Sequence, residues 1–223
     1  MDLDRRADYD WGVLLEAEAD ADPTAQLARW LAEAEAAGEV EFNAMALCTV
    51  GDDGRPTARN VLLRGIDDRG ALEFFTNRGS RKGGEIERHP DVCLLFSWLG
   101  QHRQVRIEGV ASPTPAEVDD RYFATRPRGS QVGAWASAQS SVLADRAQLE
   151  AEVAAAEARF GDGPVSRPPN WGGDAVTPVM FEFWQGRPGR LHDPAVAGRC
   201  ADRDRAAGGA TADGGGGGER LAP

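Results

Sequence analysis

The chain has 223 residues, 41% hydrophobic and 27% charged, which suits one domain with extensions. Its formal net charge of −11 argues against nucleic-acid or membrane-surface binding, both of which need basic fields, and no stretch approaches membrane-spanning length. The opening "MDLDRRADYDW" lacks the apolar core of a signal peptide, so a cytoplasmic protein is expected. Cys48, Cys93 and Cys200 are scattered without CxxC spacing, as for incidental thiols in a reducing compartment. The three histidines show no paired metal-ligand spacing, so no metal site is expected.

Residues 1–22 read as a mobile polar arm. "DPTAQLARWLAEAEAAG" predicts a helix: Asp22 caps it, Pro23 takes the first turn, Leu27, Trp30 and Leu31 form an apolar stripe, and Gly38 follows the end. From Asn43 the period becomes that of strands: "NAMALCTV", "TARNVLLRGI", "ALEFFTN", "DVCLLFSWL" and "QVRIEGVAS", with "GDDGRP" and "DDRG" as hairpin-type turns. Five short strands so close together predict a mainly β fold, an antiparallel barrel with flanking helices. "GSRKGGEIERHP" interrupts them as a short helix stopped by Pro90. "TPAEVDDRYFATRP" predicts a helix capped by Thr114 with Pro115 in its first turn, and "LADRAQLEAEVAAAEARFG" another, closed by Gly161. A proline-rich loop leads to one more strand, "VMFEFWQG". The domain therefore spans 23–193. Beyond it, residues 194–223 form a glycine-rich tail whose stretch 194–218 has almost no large apolar side chains. Such a segment cannot offset its ordering entropy, so it is expected to be disordered and to leave the barrel without part of its closing hairpin.

The chemistry gathers in a few stretches. In "RNVLLR", strand alternation points Arg59, Val61 and Leu63 one way and Asn60, Leu62 and Arg64 the other; solvated edge arginines are the plain alternative. "TNRGSRK" opens a helix with Arg81, Lys82 and free N–H groups, a plausible phosphate seat or a solvated basic turn. "RYFATRPRGSQVGAWASAQSS" (121–141) holds three arginines, four serines and no acid in an acidic chain. Tyr122 and Arg126 are four apart on a helix and Ser130 lies just beyond, a grouping that suits a phosphate dianion or a capping network at Pro127. Gln139, Ser140 and Ser141 add donors. In "FWQGRPGRLHD", Arg190 and His192 point the same way in an extended segment. With no triad, P-loop or acidic pair, an enzyme built from these residues would leave the hard chemistry to a cofactor.

Taken together, "RNVLLR", "FFTNRGSRK", "RYFATRPRGSQVGAW", "QSS", "FWQG" and "RLHD" make the chain resemble the pyridoxine/pyridoxamine 5′-phosphate oxidases. The resemblance runs from about Arg6 to Asp193 and returns at "ERLAP". It implies an FMN-binding split β-barrel homodimer that oxidises pyridoxamine or pyridoxine 5′-phosphate to pyridoxal 5′-phosphate, reducing O2 to hydrogen peroxide. By matching position, it implies FMN contacts at Arg59, Val61, Leu62, Phe75, Thr76, Arg81, Lys82, Gln104, Gln139, Ser140 and Trp184. The substrate phosphate would meet Arg64, Tyr122, Arg126 and Ser130; Arg190 and His192 would flank the substrate ring as the catalytic pair, and Arg6 and Tyr9 would belong to a lid. Two departures stand out. The family usually has lysine where Arg64 stands, and an FMN-binding arginine followed by an apolar strand where Pro194 and the glycine run stand. Compensating frameshifts and a natural degenerate tail both explain the second. Two other readings compete: a split-barrel flavin enzyme acting on another substrate, such as a phenazine precursor, and a non-catalytic flavin- or pyridoxal phosphate-binding relative.

Overall fold

Proline cannot donate a backbone hydrogen bond, and in the first turn of a helix no donor is needed. In the computed structural model α1 starts at that residue (Pro23–Ala36), and the Asp22 carboxylate accepts from the backbone N–H of Thr24 at 2.9 Å. Leu27, Trp30 and Leu31 are buried, and Gly38 carries the chain onward at φ 76°. The structure describes Gly12, Leu14, residues 19–187 and the backbones of 193–198 and 218–220, so most of the expected arm lies outside the described residues.

The strands follow the alternation read from the sequence: β1 (Ala44–Val50), β2 (Pro56–Leu62), the short β3 (Gly65–Ile66), β4 (Leu72–Asn77), β5 (Asp91–Trp98), β6 (Arg103–Pro113) and β7 (Trp171–Gln185). They pair antiparallel in the order β2-β1-β5-β6-β7-β4-β3. The two ends of that order, β2 and β3, are joined by only Leu63 and Arg64. Leu63 N–H donates to Asn43 O at 2.9 Å and Arg64 N–H to Glu73 O at 2.8 Å, so the sheet curls back on itself as a split barrel. The register shifts between Glu108 and Gly109 of β6, where β7 carries Val179 as an extra residue beside Pro178 and bulges. A Cβ at Gly109 would stand 2.5 Å from Thr177 O, so only glycine lets the strands approach there. Alternation also sets Cys48 directly opposite Cys93 as free, half-buried thiols.

β7 is twice as long as "VMFEFWQG" predicts. Its first half contains Gly172, Gly173 and Pro178, which weaken the strand signal, yet its backbone pairs with β4 from Trp171 to Val176. The helices are α2 (Arg81–Arg88), α3 (Ala116–Thr125), α4 (Arg128–Ala136) and α5 (Arg146–Phe160). α2 and α5 stand where expected, capped by Ser80 and Asp145. Thr114 does not cap α3. Its backbone N–H is tied to Gly173 O, and its hydroxyl donates to the buried Asp119 at 2.5 Å. α3 also ends one residue before Arg126, which is extended, and α4 has no counterpart in the sequence reading.

The apolar side chains form two cores. One fills the barrel, with Leu47, Phe74, Phe96, Ile107 and Phe181 fully enclosed and Trp30 of α1 meeting Phe183 edge-on at 5.3 Å. The other joins α3, α4 and α5 to the start of β7 through Phe123, Val132, Ala136, Ala156 and Trp171.

The expectation of a tail that cannot pair is corrected. β8 (Asp193–Gly198) lies antiparallel to Met180–Gln185 of β7, and β9 (Gly218–Arg220) pairs with β8. The outer half of β7 offers backbone donors and acceptors that any extended chain can use, side-chain alternation or not. Pro194 is accommodated where, among the described residues, it has a strand neighbour on one side only, since the described pairing with β9 begins at Ala195. Residues 199–217 lie outside the described residues.

Candidate active site

A cavity of about 660 Å³ lies between the barrel and the helical flank. Eleven of the residues singled out in the sequence line it: Arg59, Val61 and Leu62 on β2, Arg64 just beyond, Phe75 and Thr76 on β4, Lys82 on α2, Tyr122 and Arg126 of the α3 region, Ser130 on α4, and Gln139. Arg81 and Ser140 line an adjoining cavity of about 520 Å³ that shares Gln139.

At the barrel end every described cation is already engaged. Glu85 of α2, only 1% exposed, accepts from Thr49 Oγ1 at 2.6 Å, Thr57 Oγ1 at 2.8 Å, Arg59 Nη2 at 2.9 Å and Arg81 Nε at 2.8 Å. Burial alone would raise this carboxyl; the four hydrogen bonds outweigh it and hold it at about 2. The solvated-arginine reading of Arg59 therefore fails: β2 is an edge strand, but the guanidinium turns inward. Lys82 Nζ donates to Ser80 Oγ and, at 2.9 Å, to Gln139 Oε1. Burial, with Arg59 nearby, lowers the lysine. Ser140, at φ 73°, accepts from the Arg81 backbone N–H at 3.2 Å. A non-glycine residue in the left-handed region has to be held there by its surroundings, and such residues gather at binding sites.

At the helical end the cations lie on aromatic faces instead. Arg126 sits 4.7 Å over Trp171 and 5.5 Å over Phe123, and Arg64 5.9 Å over Tyr122. Tyr122 stacks on Phe75 at 4.0 Å and Phe75 on Trp171 at 5.5 Å, so one aromatic stack carries both guanidiniums. Among the described residues no carboxylate pairs with either. Arg126 Nη1 is buried without a hydrogen-bond partner, and burial lowers its guanidinium. A buried, unsatisfied N–H on a cation is costly unless an anionic ligand meets it.

Beneath the cavity, Asp174 of β7 is buried and pushed up to about 6, by burial foremost, with Asp119 adding to the shift and Arg78 and Lys82 opposing it.

Two expected contacts are not in the cleft. Gln104 and Trp184 face each other across β6 and β7, on the opposite side of the sheet from Val105, Phe181 and Phe183, which fill the barrel. Strand alternation places them on the outer face of their own chain. Arg6, Tyr9, Arg190 and His192 lie outside the described residues. The sequence reading missed Asn77, Ser137 and Trp171, which line the cavity, and Glu85 beneath it. Asn77 sat inside the quoted "TNRGSRK". Nothing local marks Trp171 or Glu85, because their roles arise from packing between distant segments.

A curled antiparallel barrel with a cation-lined cleft against a helical flank defines a split-barrel protein. Residues 31–160 match the family described as pyridoxamine 5′-phosphate oxidase, and residues 171–205 match the pyridoxine 5′-phosphate oxidase C-terminal dimerisation region, a match that runs past Pro194. A pyridoxine/pyridoxamine 5′-phosphate oxidase of Burkholderia lata is 54% identical over 199 residues, covering 89% of this chain and 92% of the relative. One from Rubrobacter xylanophilus is 55% identical over 188 residues, covering 84% and 86%. Among solved structures, PhzG of Burkholderia lata in complex with tetrahydrophenazine-1-carboxylic acid superposes with a TM-score of 0.81 at 30% identity, covering 95% of this chain and 98% of that one. The chain belongs to the pyridoxamine 5′-phosphate oxidase family, a family of oxidoreductases.

Proposed function

We propose that the protein binds FMN and oxidises pyridoxamine or pyridoxine 5′-phosphate to pyridoxal 5′-phosphate. The observation that carries this reading is the buried, partnerless Nη1 of Arg126 in a cavity it shares with Tyr122, Ser130 and Arg64, at the far end from a second, separately organised cation group. Two phosphate-sized seats on one cleft suit two phosphorylated aromatics held face to face.

The barrel end fits the FMN phosphate: Arg81 presents its terminal nitrogens, and Lys82 and Ser140 lie beside it. Bound FMN would supply the redox chemistry, a hydride acceptor for the substrate and an electron donor to O2, with hydrogen peroxide as the reduced product. The chain's own residues act by positioning. Arg126, Arg64, Tyr122 and Ser130 fix the substrate phosphate, so the ring's reach into the cleft is set. Arg190 and His192 are proposed to flank that ring, and Arg6 and Tyr9 to cover it. Gln104 and Trp184, on the outer face, are proposed to complete the cofactor site of a second copy in a homodimer, consistent with the matched dimerisation region.

A second reading, oxidation of a phenazine precursor, draws support from the PhzG likeness. Two guanidiniums, a phenol and a hydroxyl on one cavity wall favour the phosphorylated substrate, because a phosphate dianion takes up more charge and more donors than a single carboxylate. Steady-state peroxide formation tests both. Turnover with pyridoxamine 5′-phosphate is the expected result. Turnover only with a reduced phenazine carboxylate would favour the second reading, and flavin binding without either turnover would contradict an oxidase.

A further inference from the structure

Two arginines at the barrel end share one carboxylate, and the way they share it is specific. Glu85 Oε1 accepts from Arg81 Nε, while Glu85 Oε2 accepts from Arg59 Nη2 and from the hydroxyls of Thr49 and Thr57. Arg81 stands one helical turn before Glu85 on α2, Arg59 on β2 and Thr49 on β1, so this one side chain links the helix start to two strands. The Arg81 side chain is 64% exposed and its terminal nitrogens take no partner among the described residues, whereas Glu85 is sealed beneath it.

We propose that Glu85 is the positioning residue of this end of the cleft, fixing the guanidiniums of Arg59 and Arg81 so that an incoming phosphate meets both already aimed. The proposal rests on reading this end as the FMN-phosphate seat. A guanidinium has donors and no acceptor; Arg59 is also held by Leu47 O and the hydroxyls of Thr49 and Thr57, whereas among the described residues the Arg81 side chain has Glu85 Oε1 alone. An amide at position 85 offers one oxygen and one NH2. With the amide oxygen kept by Arg59 and the two threonine hydroxyls, the NH2 faces Arg81 Nε, and Arg81 lets go. The carboxylate also keeps its charge through the neutral range, as its four donors require.

This reading makes a prediction of unusual sign. Glu85→Gln removes a negative charge close to an anion seat, so simple electrostatics would tighten FMN binding. Positioning predicts the reverse, because a guanidinium that is no longer aimed loses its charge-assisted hydrogen bond to the phosphate. The experiment is fluorescence titration of flavin-free protein with FMN and with riboflavin, which lacks the phosphate, in wild type and E85Q. The thermal midpoint without flavin checks the fold. The expected result is an FMN Kd raised about tenfold with riboflavin affinity unchanged. Unchanged or tighter FMN binding, or equal weakening of both flavins, would overturn the proposal, the last by making Glu85 merely structural. Should E85Q fail to fold, E85D keeps the charge but is one methylene too short to reach both arginines. It should show the same selective loss at smaller size, and wild-type FMN affinity in it would also overturn the proposal. A wild-type protein that binds neither flavin would instead contradict the cofactor reading, a failure separable from this one.

Discussion

The two ends of the cleft hold their cations in opposite ways. At the barrel end, Arg59 and Arg81 are braced by a buried carboxylate and Lys82 by an amide and a hydroxyl. At the helical end, Arg64 and Arg126 lie on aromatic rings with no carboxylate partner among the described residues, and one buried N–H is left for a ligand. The braced end has its order in place before any ligand arrives, which suits a resident cofactor. The aromatic end holds its cations in direction but leaves their charge unspent, which suits a substrate that comes and goes. Glu85 and Asp174 repeat the lesson in carboxylates. Both are buried, but four side-chain donors hold one at about 2, while burial without such donors pushes the other up to about 6.

Asp174 gives the sharpest way to break that contrast. Its folded pKa lies above its ordinary value of 3.8, so the folded state holds the proton more tightly between pH 4 and 6, and stability falls as pH rises through that window. Asp174→Asn should therefore stabilise the protein at pH 7.5 by about 3 kcal/mol and flatten its stability between pH 4 and 6. Denaturant unfolding across that range checks it; an unchanged slope would mean that Asp174 is solvated like any surface acid. Glu85 has the opposite sign. Its contribution is present above its ordinary value of 4.5 and should be lost as pH falls toward 2, seen as acid release of flavin.

Arg126→Ala comes next. Removing a charge-assisted contact costs about 1.5–3 kcal/mol, so KM for the phosphorylated substrate should rise roughly ten- to a hundredfold while flavin content holds. Parallel loss of both would show that the two ends are one unit. Trp171→Phe keeps an aromatic face under Arg126 but a smaller one, and KM should rise about two- to threefold. The smallest change is expected for Arg64→Lys, the residue usual in the family, with KM altered by less than about threefold because a single positive charge remains. Steady-state kinetics with a flavin-content assay reads all three.

Much of this was legible where chemistry is local. "RNVLLR" and "TNRGSRK" each place their cations by strand or turn geometry alone, and the α1 cap and stripe follow from spacing. Arg59, Arg81 and Lys82 were thus visible as cations at strand and turn positions, with solvated alternatives left open until the resemblance grouped them. What brought them together was not. Glu85 looks like any acid on a short helix until β1 and β2 close over it. Trp171 sits in a glycine-rich stretch with weak strand signal and becomes a site residue only when β4 pairs with it. Gln104 and Trp184 were placed by resemblance, and alternation sends them to the outer face. Pairing at 194–198 and 218–220 runs against the disorder expected from side-chain pattern, while 199–217 lie outside the described residues. An open edge of β7 asks only for extended backbone, which Asp193–Gly198 supplies.

The most direct test of the two-ended account is an anaerobic titration of the flavin-loaded protein with pyridoxamine 5′-phosphate and with pyridoxamine, following the flavin absorbance. The account predicts bleaching by the phosphorylated compound at low concentration and by the unphosphorylated one only at far higher concentration, with that difference largely erased in Arg126→Ala. Equal bleaching by both in the wild type, or none by either, would contradict it.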